Sequence, residues 1–420
     1  MSFIEETQLA GGLLVVTHAM PEAHTVALGF FVDVGSRDER PAEAGIAHAL
    51  EHMLFKGTER LDAMALNERF DQLGGTANAF TSRERTCFHI HVMREDWPEA
   101  LGLLADMLGH PALPADEWQR EREVIFSEMA MVEDAPDEWA MEQHMQALFP
   151  GTALGRSVLG ERQSLAAAGR DDLDRFLRTH YRPPRLMVAA AGGITHAELI
   201  EVMDRIDWPT AVDDQASRPP AHLASGVQLL PRDSGQAHLV LSYPGIAAAS
   251  GERPVAWLAN QLLGGGMSSH LFREVREKRG LAYHVGAHLA LLSDLGVWTV
   301  TCDTEPERLG ECIDVIAGTL ASFSDSLTED ELARAKRQLQ IQMRMGMDSV
   351  EGMMLYLGGR LDEAVLLSPD AWAQAVQQVS LAKLRQWIGT QLSHRPLWTL
   401  AGQQAALRQA ERSLRAANAH

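Results

Sequence analysis

Residues 25–39 read TVALGFFVDVGSRDE, and residues 237–245 read AHLVLSYPG. In the first stretch Val26, Leu28, Phe30, Val32 and Val34 fall at every second position, the period of a half-buried strand. Both strands lead into the same kinds of segment. After the first strand come a helix over about 43–56 ended by Gly57, a second helix near 64–73 that stops at Gly74-Gly75, and strand-like residues over 76–93. After the second come helices in PVAWLANQLLGG (254–265) and SSHLFREVREKRG (268–280), strands in AYHVGAHLA (282–290) and GVWTVTCDT (296–304), and a helix in PERLGECIDVIAGTLASF (306–323). The repeated order predicts an α+β fold of two homologous lobes related by internal duplication. Each lobe is expected to hold an antiparallel-rich mixed sheet packed with helices.

The first half contains further helical segments over 97–108 and 115–132, another before His180, and a buried strand in RLMVAAAGG (185–193). A chain of 420 residues is too long for one core. The pattern dissolves into Pro, Ser, Asp and Ala over 208–226, so the expected division is a lobe over residues 1–212, a linker over 213–226 and a second lobe over 227–420.

With 46% hydrophobic and 22% charged residues the composition is that of an ordinary globular protein. A net charge of −20 argues against nucleic acid and anionic membrane as partners, since both demand dense cationic contacts. No apolar run is long enough to span a bilayer, and the start MSFIEETQLAGG lacks the basic and apolar regions of a secretory signal, so a cytoplasmic protein is expected. Cys87, Cys302 and Cys312 match neither a disulfide framework nor a thiolate zinc site, and read as free buried thiols.

The chemistry concentrates in GIAHALEHMLFKGT (45–58). His48 and His52 stand one helical turn apart on one face, so both imidazoles can reach one zinc ion, while Glu51 lies close enough to that face to act as base. Ile46, Ala47, Leu50, Met53, Leu54 and Phe55 make this helix apolar nearly all round, hence buried, where ionisable groups are costly unless paired or metal-bound. The matching helix of the second half, AWLANQ (256–261), has no such set. A catalytic zinc site needs a third protein ligand. Glu128, flanked by Val124, Ile125, Phe126, Met129 and Met131, is the candidate in what reads as a second buried stretch. Glu121, two turns earlier, shares its face and is expected to orient a ligand histidine or the water. His89 and His91 alternate on a strand and read as ordinary strand side chains.

The order HALEHMLFKGT, LGGTANAFTSRERT (73–86), EREVIFSEMAMVEDAP (121–136) and LLGGGMSSHLFREVREKRGLAY (262–283) resembles the pitrilysin/insulinase family of zinc peptidases, especially the branch of mitochondrial processing peptidase and its bacterial relatives. The resemblance implies a zinc-dependent endopeptidase acting on unstructured peptides enclosed in a chamber, with one zinc per chain on His48, His52 and Glu128, and Glu51 activating the attacking water. It assigns Arg276 and Tyr283 to the substrate and the tetrahedral intermediate, and Asn78 and Ala79 to an edge strand that an extended peptide joins. It also implies a homodimer whose active sites are completed by the partner's C-terminal lobe. The family includes subunits that lost the metal site, so a non-catalytic or hetero-oligomeric peptide-binding subunit is the alternative. The family often carries arginine where this chain has His270.

Overall fold

The computed structural model of the protein describes residues 4–206, 208, 218–361 and 368–417. They gather into two compact units, one of Met1–Ala130, Arg156–Pro219 and Arg344–Ser368, the other of Met131–Gly155, Pro220–Met343 and Pro369–His420. The first part of the expected linker, residues 213–217, lies outside the described residues.

The first unit is built on strands β1 (Ile4–Gln8), β2 (Leu14–Ala19), β3 (Thr25–Val32), β4 (Thr76–Thr81), β5 (Thr86–Met93) and β6 (Leu186–Gly192), in the spatial order β1-β2-β6-β3-β5-β4. Only β2 and β6 pair in parallel, and β4 is an edge strand held to β5 with Asn78 opposite His89. Helices α1 (Ile46–Leu54), α2 (Ala63–Gln72), α3 (Trp97–Gly109) and α4 (Ala115–Asp134) lie within the predicted segments or extend them by a residue or two. The next helix, α5 (Pro136–Leu148), is not among the predicted segments although Pro136, Asp137 and Glu138 mark its start, and it belongs to the second unit, before α6 (Arg162–Ala167), α7 (Arg170–His180) and α8 (His196–Met203) return to the first.

The second unit repeats the plan with β7 (Gly226–Pro231), β8 (Ala237–Pro244), β9 (Ala282–Leu291), β10 (Gly296–Thr304) and β11 (Leu397–Gly402), ordered β7-β11-β8-β10-β9. Its helices are α9 (Arg253–Gly264), α10 (Leu309–Ser326), α11 (Glu329–Met347), α13 (Pro369–Gln377), α14 (Leu381–Leu392) and α15 (Gln404–Ala417), and α11 ends in the first unit, where α12 (Val350–Gly358) lies. The helix expected in 268–280 is present and is wound as a π-helix over Phe272–Glu277. Two sheets clothed in helices make the α+β, two-unit architecture that the repeat predicts.

The half-buried reading of β3 is corrected, because every residue from Val26 to Val32 is buried. Val26, Leu28, Phe30 and Val32 face the main core with Ile46, Leu50 and Leu101, while Ala27 and Phe31 face a second core made with Met353, Met354 and Leu357 of α12. A Cβ on Gly358 would meet the Phe31 ring at 2.2 Å, so the absence of a side chain there lets the ring seat under the helix. Burying three such α12 side chains contributes about 1.5–3 kcal/mol each. In the second unit, α5 covers the corresponding face of its sheet: His144, fully buried, reaches Ser242 of β8 and Thr399 of β11 at 2.8 Å through its two ring nitrogens. The three cysteines are free and buried, with Cys302 and Cys312 in contact at 3.2 Å between sulfurs.

Candidate metal centre

Helix α1 packs Ile46, Ala47, Ala49, Leu50, Met53 and Leu54 into the core, which leaves His48, Glu51 and His52 on the remaining, partly exposed side. The four-residue spacing brings the two imidazoles edge to face with centroids 4.6 Å apart. Helix α4 supplies the carboxylates. It is not buried as its apolar neighbours suggest: Val124 and Met131 are exposed, and the covered stripe is Trp118, Glu121, Ile125 and Met129, with Glu128 beside it. The correction has a simple cause, since a run of apolar residues along a helix does not all point one way.

From that stripe Glu128 Oε2 lies 3.8 Å from His48 Nε2 and 3.7 Å from His52 Nε2. Among the described residues, His48, His52 and Glu128 are the one group of three whose ligand atoms fall within 4.8 Å of one another. Ligands at bonds of about 2.1 Å on a tetrahedral ion sit about 3.4 Å apart, so the observed spacing is close to that of a zinc site before the ion draws its ligands in. Two imidazoles and one carboxylate are also the donor set of a catalytic zinc, which keeps its fourth position open.

The surroundings favour the ligand forms. Burial, and then the charge of His52, pushes His48 down to about 4, so its imidazole is neutral at ordinary pH. Glu121 Oε2 lies 3.1 Å from His52 Nδ1, and its other oxygen accepts from Lys56 Nζ at 2.7 Å. Burial pushes Glu121 up, but the hydrogen bonds and charges of Lys56 and His52 together hold it below the usual carboxylate value. An ionised carboxylate only accepts, so His52 carries its hydrogen on Nδ1 and turns the Nε2 lone pair toward Glu128. Glu51 accepts a hydrogen bond from the Thr81 hydroxyl at the end of β4, and burial raises its pKa. The sequence motifs single out neither Lys56 nor Thr81. Lys56 could have been found as the residue one turn beyond His52, whereas nothing local marks Thr81.

Asn78 and Ala79 lie on the free edge strand β4, and the Asn78 side-chain oxygen accepts from the Ala79 N–H at 2.9 Å. Arg276 and Tyr283 belong to the second unit and pair there: Arg276 Nη1 donates to the Tyr283 carbonyl at 2.8 Å and its guanidinium lies 4.5 Å from that ring, which is 81% exposed. His270 is buried against Phe323 with Nε2 3.3 Å from Glu331. His89 is buried in β5, 3.5 Å from Glu351 of α12. No helix among the described residues is long and apolar enough to cross a membrane.

Comparison with known proteins identifies the family. Residues 14–162 match the family described as Insulinase (Peptidase family M16), and residues 167–339 match the Peptidase M16 inactive domain. An uncharacterized zinc protease of Streptomyces coelicolor is 36% identical over 365 residues, 84% of this chain and 80% of the relative. One of Mycobacterium tuberculosis is 34% identical over 418 residues, covering 98% of this chain and 95% of the relative. In fold, the chain is similar to the crystal structure of a protease from Helicobacter pylori, with a TM-score of 0.89, 20% identity, and coverage of 96% of this chain and 99% of that one. A peptidase M16 inactive domain from Pseudomonas fluorescens superposes with a TM-score of 0.88 at 21% identity, covering 95% and 98%. Identity above 30% across nearly the whole chain, together with both halves matching in order, places this protein in the insulinase family of M16 metallopeptidases.

Proposed function

We propose that the protein is a zinc-dependent endopeptidase that hydrolyses unstructured peptides, with His48, His52 and Glu128 holding one zinc ion and Glu51 as the base. The observation that carries the reading is the convergence of His48 Nε2 and His52 Nε2 on one Glu128 oxygen, with Glu51 on the same helix. Zinc bound there supplies Lewis acidity to the scissile carbonyl and to the attacking water.

The rest is done by the chain's own groups. Glu51 takes a proton from the water and delivers it to the leaving amine. Burial raises the affinity of this carboxylate for that proton, and Thr81 fixes the carboxylate's rotamer. Glu121 holds the His52 ring in its ligand tautomer. The free edge of β4 accepts an extended peptide by main-chain hydrogen bonds, in which case the bond from Ala79 N–H to Asn78 is exchanged for one to substrate. That mode selects for unfolded backbone over side-chain sequence.

Arg276 and Tyr283, paired and exposed in the second unit, are assigned to the substrate bound by a second copy of this chain, so the working form is a homodimer. The test is cleavage of unstructured peptides of graded length by the wild type and by Glu51→Gln, with zinc content measured on both. Retained zinc with activity lower by about 10²–10⁴-fold is expected of a lost general base. Zinc on both proteins with no cleavage by either leaves the peptide-binding subunit as the reading. Zinc on neither refutes the site.

A further inference from the structure

Helix α1 begins at a position that cannot cap it. Gly45 sits at φ 97°, in the left-handed region, with no side chain to accept from the first-turn N–H groups. A Cβ there would also meet the Leu159 carbonyl oxygen at 2.7 Å and the Gly160 Cα at 2.9 Å, so the residues that ordinarily cap helices are excluded. The missing acceptor comes from elsewhere. Glu39, 4% exposed, accepts from Gly45 N–H through Oε2 and from Ala47 N–H through Oε1, both at 2.9 Å. Its own carbonyl accepts from Arg156 Nη2 at 2.6 Å.

Burial pushes the Glu39 carboxyl up, while the two N–H groups pull it back toward the acceptor-only carboxylate, so keeping a carboxyl here costs the fold energy that an apolar side chain would not. The next residue after Ala47 is His48, and Glu51 and His52 come within five residues on the same short helix. A slip of the first turn would therefore move both histidine rings and Glu51 relative to Glu128 and Thr81.

We propose that Glu39 is a positioning residue of the metal centre: by binding both Gly45 N–H and Ala47 N–H it sets the start and rotation of α1, and with them the ligand atoms of His48 and His52. This rests on the zinc-site reading above, since Glu39 touches neither metal nor substrate. Glu39→Gln is nearly isosteric but keeps one acceptor, and turns an NH2 group toward one of the two backbone donors.

The test uses the full chain, stripped of metal and titrated with Co2+, whose visible d–d absorption reports ligand geometry, followed by kcat and KM on an unstructured peptide at saturating Co2+. The control is Thr195→Ala, which removes the side-chain cap of α8 in the same unit, a helix that carries none of the site residues. Glu39→Gln is expected to weaken Co2+ binding and lower kcat by about tenfold or more, with an altered d–d band and little change in KM. Thr195→Ala is expected to lose thermal stability alone. Unchanged Co2+ affinity, spectrum and kcat in Glu39→Gln, while the wild type binds one Co2+, overturns the positioning role and leaves the zinc site standing. Equal losses in Thr195→Ala overturn it too, because general destabilisation would then suffice. A wild type that binds no Co2+, or binds it unchanged in His52→Ala, overturns the site reading and the proposal together.

Discussion

Replacing Glu121 by glutamine tests the electrostatics behind the metal site with almost no change of shape. In the native chain one Glu121 oxygen faces His52 Nδ1 at 3.1 Å and the other faces Lys56 Nζ at 2.7 Å, so both neighbours need an acceptor. A glutamine offers one oxygen and one NH2, and in either orientation the NH2 meets a donor. If the oxygen stays with Lys56, His52 loses its Nδ1 acceptor and is free to adopt the other tautomer, whose Nε2 carries a hydrogen and cannot bind metal. If the oxygen turns to His52, the ammonium of Lys56 is left beside an amide donor. Either way one charge-assisted hydrogen bond is lost, worth about 1.5–3 kcal/mol. The Glu121 side chain is only 10% exposed, so water does little to restore that loss. At 1.4 kcal/mol per factor of ten this is about a tenfold to hundredfold loss of zinc affinity, the range seen when groups behind metal ligands are removed. Competition for zinc with a chromophoric chelator measures it, alongside a thermal melt of the metal-free protein to show that the fold is intact. An unchanged zinc affinity in a folded variant would refute the claim that Glu121 acts through His52.

Mixing Glu51→Gln with Arg276→Ala, each inactive alone, should restore about a quarter of wild-type activity, because half the dimers formed at random are mixed and one of their two sites is intact. Sites completed within one chain would show no recovery. A separate expectation concerns acid. Burial pushes His144 down to about 4 from the ordinary 6.5, so between these values the unfolded chain binds a proton that the folded one refuses. The associated stability is present above about pH 6.5 and falls as pH drops toward 4, by roughly 3 kcal/mol in all. Urea midpoints of the wild type should decline across that window, and those of His144→Asn should decline less. Parallel curves for the two proteins would dismiss His144 as the cause.

The division between what the sequence showed and what it hid reflects the range of each interaction. His48, Glu51 and His52 were legible because their geometry is local: four residues on a helix make one turn, whatever surrounds it. Glu121 and Glu128 were legible as a pair sharing a face, but the exposure of Val124 and Met131 was not, since an apolar run does not say which of its members the rest of the fold covers. β3 shows the same limit from the other side. Its alternation marks Val26, Leu28, Phe30 and Val32 as one buried face, while the burial of Ala27 and Phe31 depends on α12, more than three hundred residues later. The residues that tune the metal centre fall in this second class. Thr81 reaches Glu51 from the end of an edge strand, and Glu39 reaches the start of α1 across a loop, so neither contact leaves a periodic trace. A zinc motif read from sequence therefore names the atoms that could bind the ion. On the proposed reading, how firmly they bind it depends also on Glu121, whose place on the Glu128 face the sequence shows, and on Glu39, whose contact with the start of α1 becomes visible only once the chain has folded.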